Sequence, residues 1–242
     1  MKSRFTLIAA TALSLLFTLN AAAQGRGGGG AQRTGKQMAA FDPSGYWVAY
    51  ITEDWRFRMI GPAKGDYARI NLNAAGRKVA DSWNPDADMA SGNQCKAFGA
   101  AAIMRVPSRF HITWQDDNTL KVESDAGTQT RIFHFNPTGE PPAEKTWQGY
   151  SVASWDLGAL KVVTTNMKAG YLRFNGVPYS ENATVTEYFD LSPYPGAAGQ
   201  MLIDTVVVND PTYLTRRYVV SSHYNKEKDG SKWNPTPCTA KW

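Results

Sequence analysis

The sequence has little cysteine, little histidine and little charge. Two cysteines in 242 residues exclude a small scaffold built on disulfides. The three histidines, His111, His134 and His223, show no H-x-H or H-E-x-x-H spacing, and no C-x-x-C occurs. A zinc site needs three or four converging ligands, so no metal and no other cofactor is expected. Charged residues make up 19% of the chain, and their signs are interleaved. Nucleic-acid binding calls for a basic stripe or patch, so no nucleic-acid partner is expected. Beyond the N-terminus no apolar run approaches the roughly 20 residues that span a bilayer. The hydrophobic fraction of 43% excludes a disordered chain.

The N-terminus reads as an export signal. Lys2 and Arg4 precede an almost uncharged run, Phe5 to Leu19, and Ala21-Ala22-Ala23 supplies small residues for cleavage. A signal peptide over 1–23 sends the mature chain to the periplasm or outside the cell, with no stable membrane insertion after cleavage. Its loss removes Lys2, Arg4 and no acid, leaving 24 basic and 21 acidic residues, a net charge of +3. Export means an oxidising compartment, in which Cys95 and Cys238 are candidates for a disulfide.

Residues 24–40 include four consecutive glycines, Gly27 to Gly30, and read as a flexible tether. A phosphate-binding loop is excluded because no strand precedes the glycines and no G-K-[ST] closes them. No second linker follows, so 41–242 reads as a single domain. Eleven segments within it are short, rich in β-branched and aromatic residues, and bounded by Asp, Asn, Gly and Pro. They are 45–52, 55–60, 101–105, 109–115, 118–124, 129–135, 151–156, 159–165, 184–190, 201–208 and 217–224. One helix is expected over 73–83, capped by Asn73 and stopped by Pro85. The expected fold is all-β: an antiparallel up-and-down meander closing into a lipocalin-like barrel, with a β-sandwich as the alternative.

One hairpin can be read to register. A three-residue loop at Asp116-Asp117-Asn118, ending in a left-handed Asn118, places Thr113 opposite Lys121 and gathers Phe110, Ile112, Trp114, Leu120 and Val122 on one face. The same loop chemistry at Asp125-Ala126-Gly127 would put Thr130, Ile132 and His134 on the apolar face, with Arg131, Phe133 and Phe135 opposite.

Gly45-Tyr46-Trp47 opens the first strand and resembles the G-x-W signature of lipocalins, which pack a late basic residue on that tryptophan; Arg216 or Arg217 could take that place. A longer resemblance rests on Glu53-Asp54-Trp55-Arg56, Lys64-Gly65-Asp66-Tyr67, Gln94-Cys95, Ile103 to Pro107, Thr146 to Gly149, Asn175 to Ser180 and Thr186 to Phe189. Over 41–238 the chain resembles a group of secreted, uncharacterised proteins of soil bacteria. The resemblance implies export and a single lipocalin-like β domain, and carries no activity.

Charges on apolar strands are the candidates for chemistry. Arg131 shares a face with Phe133 and Phe135, and Glu187 with Val185 and Phe189; a carboxylate among apolar groups must pair, accept hydrogen bonds or take up a proton. An Arg131–Glu187 pair would either fix the barrel or anchor a ligand. If Trp55, Phe57 and Met59 face the core, Arg56 and Arg58 face solvent; the opposite orientation turns both into a cavity. Tyr150, Trp155, Tyr171 and Tyr179 could complete a ligand site. The leading expectation is an exported lipocalin-like protein binding a small apolar or aromatic molecule in the barrel. The alternative is a cofactor-independent lyase, hydratase or isomerase in the same cavity, with His134 or Glu187 as acid or base and Arg131 stabilising an oxyanion. A third reading, carbohydrate or cell-envelope binding, requires a flat strip of exposed aromatics.

Overall fold

In the computed structural model the described residues are 32–194 and 199–241. The expected signal peptide and residues 24–31 of the expected tether lie outside them. Nine strands close into a barrel: β1 (Gly45–Ala49), β2 (Arg109–Asp116), β3 (Thr119–Ser124), β4 (Gln129–Phe135), β5 (Tyr150–Asp156), β6 (Ala159–Thr165), β7 (Thr184–Pro193), β8 (Gln200–Asn209) and β9 (Tyr218–Glu227). Each pairs with its neighbours in sequence, and β9 returns to β1, with Tyr46 opposite Glu227. The expected meander and barrel are therefore present. A ring of nine cannot alternate direction throughout, so one pairing must be parallel. It is β4 with β5, Phe133 opposite Ser151. The 14 residues between these strands carry the chain back along the barrel, as a parallel connection requires.

The first hairpin has the expected register, with Thr113 opposite Lys121 and Trp114 opposite Leu120. The extra residue is taken up as a bulge between Trp114 and Asp116, and Asp116 Oδ1 accepts from Asn118 N at 2.7 Å. No left-handed Asn118 is used. The second hairpin differs from its expected register by one residue. Ser124 pairs with Gln129, so the loop has four residues, with Gly127 and Thr128 left-handed. Arg131, Phe133 and Phe135 consequently point inward, and Ile132 and His134 outward.

Two expected strands are helical. Residues 55–58 form α1 (Trp55–Arg58), entered through a left-handed Asp54, and consecutive Phe57 and Arg58 are buried. Alternation in W-R-F-R-M-I imitated a strand. Residues Ile103–Arg105 form a 3-10 turn within a segment buried on all sides. A short apolar run does not distinguish a strand from a buried turn by periodicity. The expected helix is α2 (Ala74–Asp81), with Asn73 Oδ1 accepting from Gly76 N at 2.9 Å. Pro85 stops nothing further; it opens α3 (Pro85–Ala90), where its missing N–H is harmless and Asn84 caps. Among the described residues no helix is long and apolar enough to cross a membrane.

The segments 50–108, 166–183 and 210–217 all leave the barrel at the same end. They cover it with a second core around Tyr67, Ile70, Leu172, Val177, Tyr179 and Leu214. The opposite end carries tight hairpin turns and is crossed by residues 33–41. Lys36 N bonds Asp117 O at 2.9 Å, Gly35 N bonds Asn118 Oδ1 at 2.8 Å, and Trp155 Nε1 donates to Gly35 O at 2.8 Å. The part of the expected tether from 33 to 40 is thus a strap, held because Asn118 and Trp155 satisfy its backbone. Cys95 and Cys238 are disulfide-bonded, and the C-terminal segment lies beside the β3–β4 loop, Thr236 opposite Ala126. Trp47 is fully buried and its late basic neighbour is Lys226, whose ammonium lies 5.2 Å from the ring. It occupies the place expected of Arg216 or Arg217, because β9 pairs Lys226 directly opposite Trp47.

Candidate functional site

The barrel interior is occupied by its own side chains. Trp47, Phe110, Ile112, Leu120, Phe133 and Phe189 fill it with almost no exposure. Among them lies a buried polar cluster. Arg131 donates to Glu187 through both terminal nitrogens, Nη1 to Oε1 at 2.7 Å and Nη2 to Oε2 at 2.5 Å. Nη2 also reaches Thr164 Oγ1 at 3.3 Å, and Thr164 shares a hydrogen bond with Ser151 Oγ at 2.7 Å. Burial works against the Arg131 charge, but the Glu187 carboxylate more than reverses that and raises its pKa. Asp204 enters the same interior from β8 and is fully buried, with no hydrogen-bond partner at either carboxyl oxygen. Burial, reinforced by Glu187 and opposed by Arg131, lifts its carboxyl well above the ordinary range. Arg131 and Glu187 come together as the strand faces suggested, but sealed among packed side chains.

The remaining expected residues do not join them. His134 faces outward and stacks on Tyr150, ring centroids 4.9 Å apart. Burial lowers its pKa, against the pull of Asp116. His134, Arg131 and Glu187 therefore do not share a site, since β4 turns alternate residues to opposite sides of the wall. Arg56 is exposed and pairs with Asp66 at 2.7 Å. Trp155 lies under the strap between Phe41 and Phe135. Tyr171 donates to Asp88 at 2.8 Å in the capping layer, and Tyr179 is wholly buried in the second core. Among the described residues no three histidine, cysteine or acidic side chains are placed to hold a metal ion.

Arg58 departs furthest from its expected place. The turn of α1 separates it from Arg56 and buries it to 3% exposure at the covered end. There it lines a cavity of about 10 Å³ with Arg105, Arg173, Phe57, Ala102 and Leu172. Arg105 and Arg173 are 6% and 4% exposed. Arg58 is held by donating Nε to Arg105 O at 3.0 Å and Nη1 to Tyr50 O at 3.1 Å. Arg105 Nη2 donates to Asp54 at 2.8 Å, and Arg173 donates Nη1 to Ala68 O at 2.8 Å and also hydrogen-bonds the Tyr218 side chain. Arg173 also lies over the Phe57 ring at 4.3 Å. One nitrogen of each remains buried without a protein partner: Arg58 Nη2, Arg105 Nη1 and Arg173 Nε. Burial, helped by the Arg105 charge, lowers the pKa of both Arg58 and Arg173.

Three buried guanidinium groups within one wall repel one another and leave donors unsatisfied, an arrangement that an anion relieves on both counts. The acids nearest this wall are Glu53, 3.9 Å from Arg58 Nη1, and Asp54, 2.8 Å from Arg105 Nη2. The available signal for Arg105 and Arg173 is a lone arginine inside an apolar run, Ile103-Met104-Arg105-Val106 and Leu172-Arg173-Phe174. The same signal singled out Arg131. No family model, no curated protein and no solved structure matches this chain.

Proposed function

We propose that the chain is an exported binding protein for a small molecule bearing an anionic group, carboxylate or phosphate, and that Arg58, Arg105 and Arg173 receive that group. The observation that carries this reading is the three buried nitrogens left without partners around one cavity. A cavity of about 10 Å³ admits one water-sized atom, which is the size of a single carboxylate or phosphate oxygen. Guanidinium groups suit this role because they stay charged when buried and present several donors in fixed directions. The reading keeps the expectation of an exported small-molecule binder in the resembled bacterial group. It moves the site from the barrel lumen to the covered end, and makes the recognised chemistry acidic where an apolar molecule was expected. The disulfide supports export into an oxidising compartment.

Thermal unfolding of the mature protein with acetate, phosphate and succinate, at constant ionic strength set with sodium fluoride, tests the proposal. At least one anion should raise Tm saturably, with about 2.7 kcal/mol of stabilisation at 100 times its Kd. Arg105→Met and Arg58→Lys should each weaken that response. No saturable shift, or an undiminished response in both variants, would overturn the proposal.

A further inference from the structure

Five of the large hydrophobic side chains that the chain exposes lie within one stretch of eleven residues: Tyr50, Ile51, Trp55, Met59 and Ile60. Trp55 and Ile60 are 56% and 62% exposed. Two residues of this stretch, Phe57 and Arg58, line the arginine cavity. Within the single turn of α1, Phe57 and Arg58 face the cavity while Trp55 and Arg56 face solvent. Ile60 N bonds Trp55 O at 3.3 Å, which holds the two exposed apolar side chains on the same turn. Tyr50 is bound to Arg58 through its carbonyl, so it too stands at the edge of the cavity.

Soluble proteins seldom concentrate exposed apolar groups in this way unless something covers them. A water-soluble anion would engage the arginines and leave these side chains bare. Arg56 and Arg69 beside the patch are already paired with Asp66 and Asp54, so the preference for a negatively charged occupant comes from the buried donors of Arg58, Arg105 and Arg173. We infer that the ligand is a single-chain anionic amphiphile: its acidic head meets Arg58, Arg105 and Arg173, and its hydrocarbon chain lies outward along Tyr50, Ile51, Trp55 and Ile60. This inference rests on the anion-binding reading and adds the chemistry of the remainder of the molecule. The chain stays on the surface because the cavity has room for the tip of the head alone. Such a site suits capture of an amphiphile from water, with Trp55 closing over part of the chain.

Tryptophan fluorescence and calorimetry on the mature protein test this with acetate, octanoate, decanoate and dodecanoate, all below their micelle concentrations, and with decanol as the uncharged control. Affinity should rise about two- to four-fold per added methylene, the range for partial to full burial of a CH₂. Decanol should bind at least ten-fold more weakly than decanoate. Trp55→Ser combined with Ile60→Ser, both at exposed positions, should flatten the dependence on chain length while acetate binding is kept. Arg105→Met should remove the preference for decanoate over decanol. Acetate binding with no effect of chain length would overturn the amphiphile and leave the anion site standing. Binding of none of the acids would overturn both. A length dependence untouched by the double variant would place the chain elsewhere and also overturn the inference. So would sedimentation with phosphatidylglycerol vesicles that is as strong in Arg105→Met as in the parent, because that result makes the patch a bilayer-docking surface.

Discussion

Glu187 and Asp204 project from neighbouring strands into one barrel interior, and Arg131 bonds both oxygens of Glu187 and neither of Asp204. One guanidinium thus serves one of two buried acids, and burial of the second raises its carboxyl pKa well above the ordinary range. A carboxyl whose folded pKa is raised contributes stability that is complete below its unfolded value, near 3.9, and is lost as pH rises through the folded value. Asp204→Asn removes that loss. Relative to the parent it should be neutral near pH 4 and increasingly stabilising above it, by up to about 1.4 kcal/mol per pH unit until the folded pKa is passed. Urea unfolding at pH 4, 6 and 8 measures the difference, and a gain independent of pH would contradict the raised pKa of Asp204.

The same geometry makes the two halves of the ion pair unequal. Arg131→Met leaves Glu187 buried without a counter-charge, which should cost about 3–5 kcal/mol. Glu187→Gln leaves the guanidinium, but it also removes a charge that, after burial, raises the Asp204 pKa, so Asp204 ionises more readily and takes over part of the pairing. Glu187→Gln should therefore cost less than Arg131→Met. Adding Asp204→Asn to Glu187→Gln should cost about 1–3 kcal/mol beyond the sum of the single changes, the sign of coupled neighbours. Equal losses from Glu187→Gln and Arg131→Met, or simple additivity, would remove Asp204 from the account.

The barrel was legible because its wall repeats every two residues. Nine of eleven expected strands are barrel strands, and the first hairpin was readable to register because Phe110, Ile112 and Trp114 alternate with polar partners. The second hairpin was not, because Arg131 sits where a hydrophobic residue belongs and Ile132 where a polar one does; the pattern therefore favoured the wrong face. The arginine site was hidden for a different reason. Arg58, Arg105 and Arg173 are brought together by a turn of helix, a 3-10 turn and a loop, across 115 positions of sequence, and none of these elements has a period to read. Arg58 was noticed, but alternation assigned it to the same side as Arg56, and a single helical turn separates them.

The disulfide ties the C-terminal segment to the covered end across a separation of 143 residues. By chain entropy a closure of that length is worth about 5 kcal/mol. Cys238→Ser should lower stability by up to that amount. The backbone hydrogen bond from Thr236 N to Asp125 O should then lose protection in hydrogen exchange, since few contacts besides the bridge hold residues 236–237 to the β3–β4 loop. The intact parent should weigh two hydrogens less than its reduced form. Undisturbed exchange at Thr236 in Cys238→Ser would show that the segment docks without the bridge.

At the opposite end the strap is separable from a free tether by one residue. A Cβ on Gly35 would fall 2.2 Å from Phe135 Cγ, inside any tolerable contact, while Phe135 is itself packed between Trp114 and Trp155 and has little room to yield. Gly35→Ala must therefore lift the strap or displace Phe135. Either way Trp155 loses the carbonyl of Gly35 as acceptor for its indole N–H. Overpacking of this kind costs about 1–3 kcal/mol. The expected outcome is a lower Tm, a red shift of tryptophan emission and faster protease cleavage between residues 33 and 41. The same substitution at Gly65, whose surroundings are open, supplies a comparison, although its left-handed backbone adds strain of its own. If Gly35→Ala leaves Tm, emission and cleavage unchanged, residues 33–40 do not close the barrel in solution. Trp155 would then be free to meet a ligand at that end.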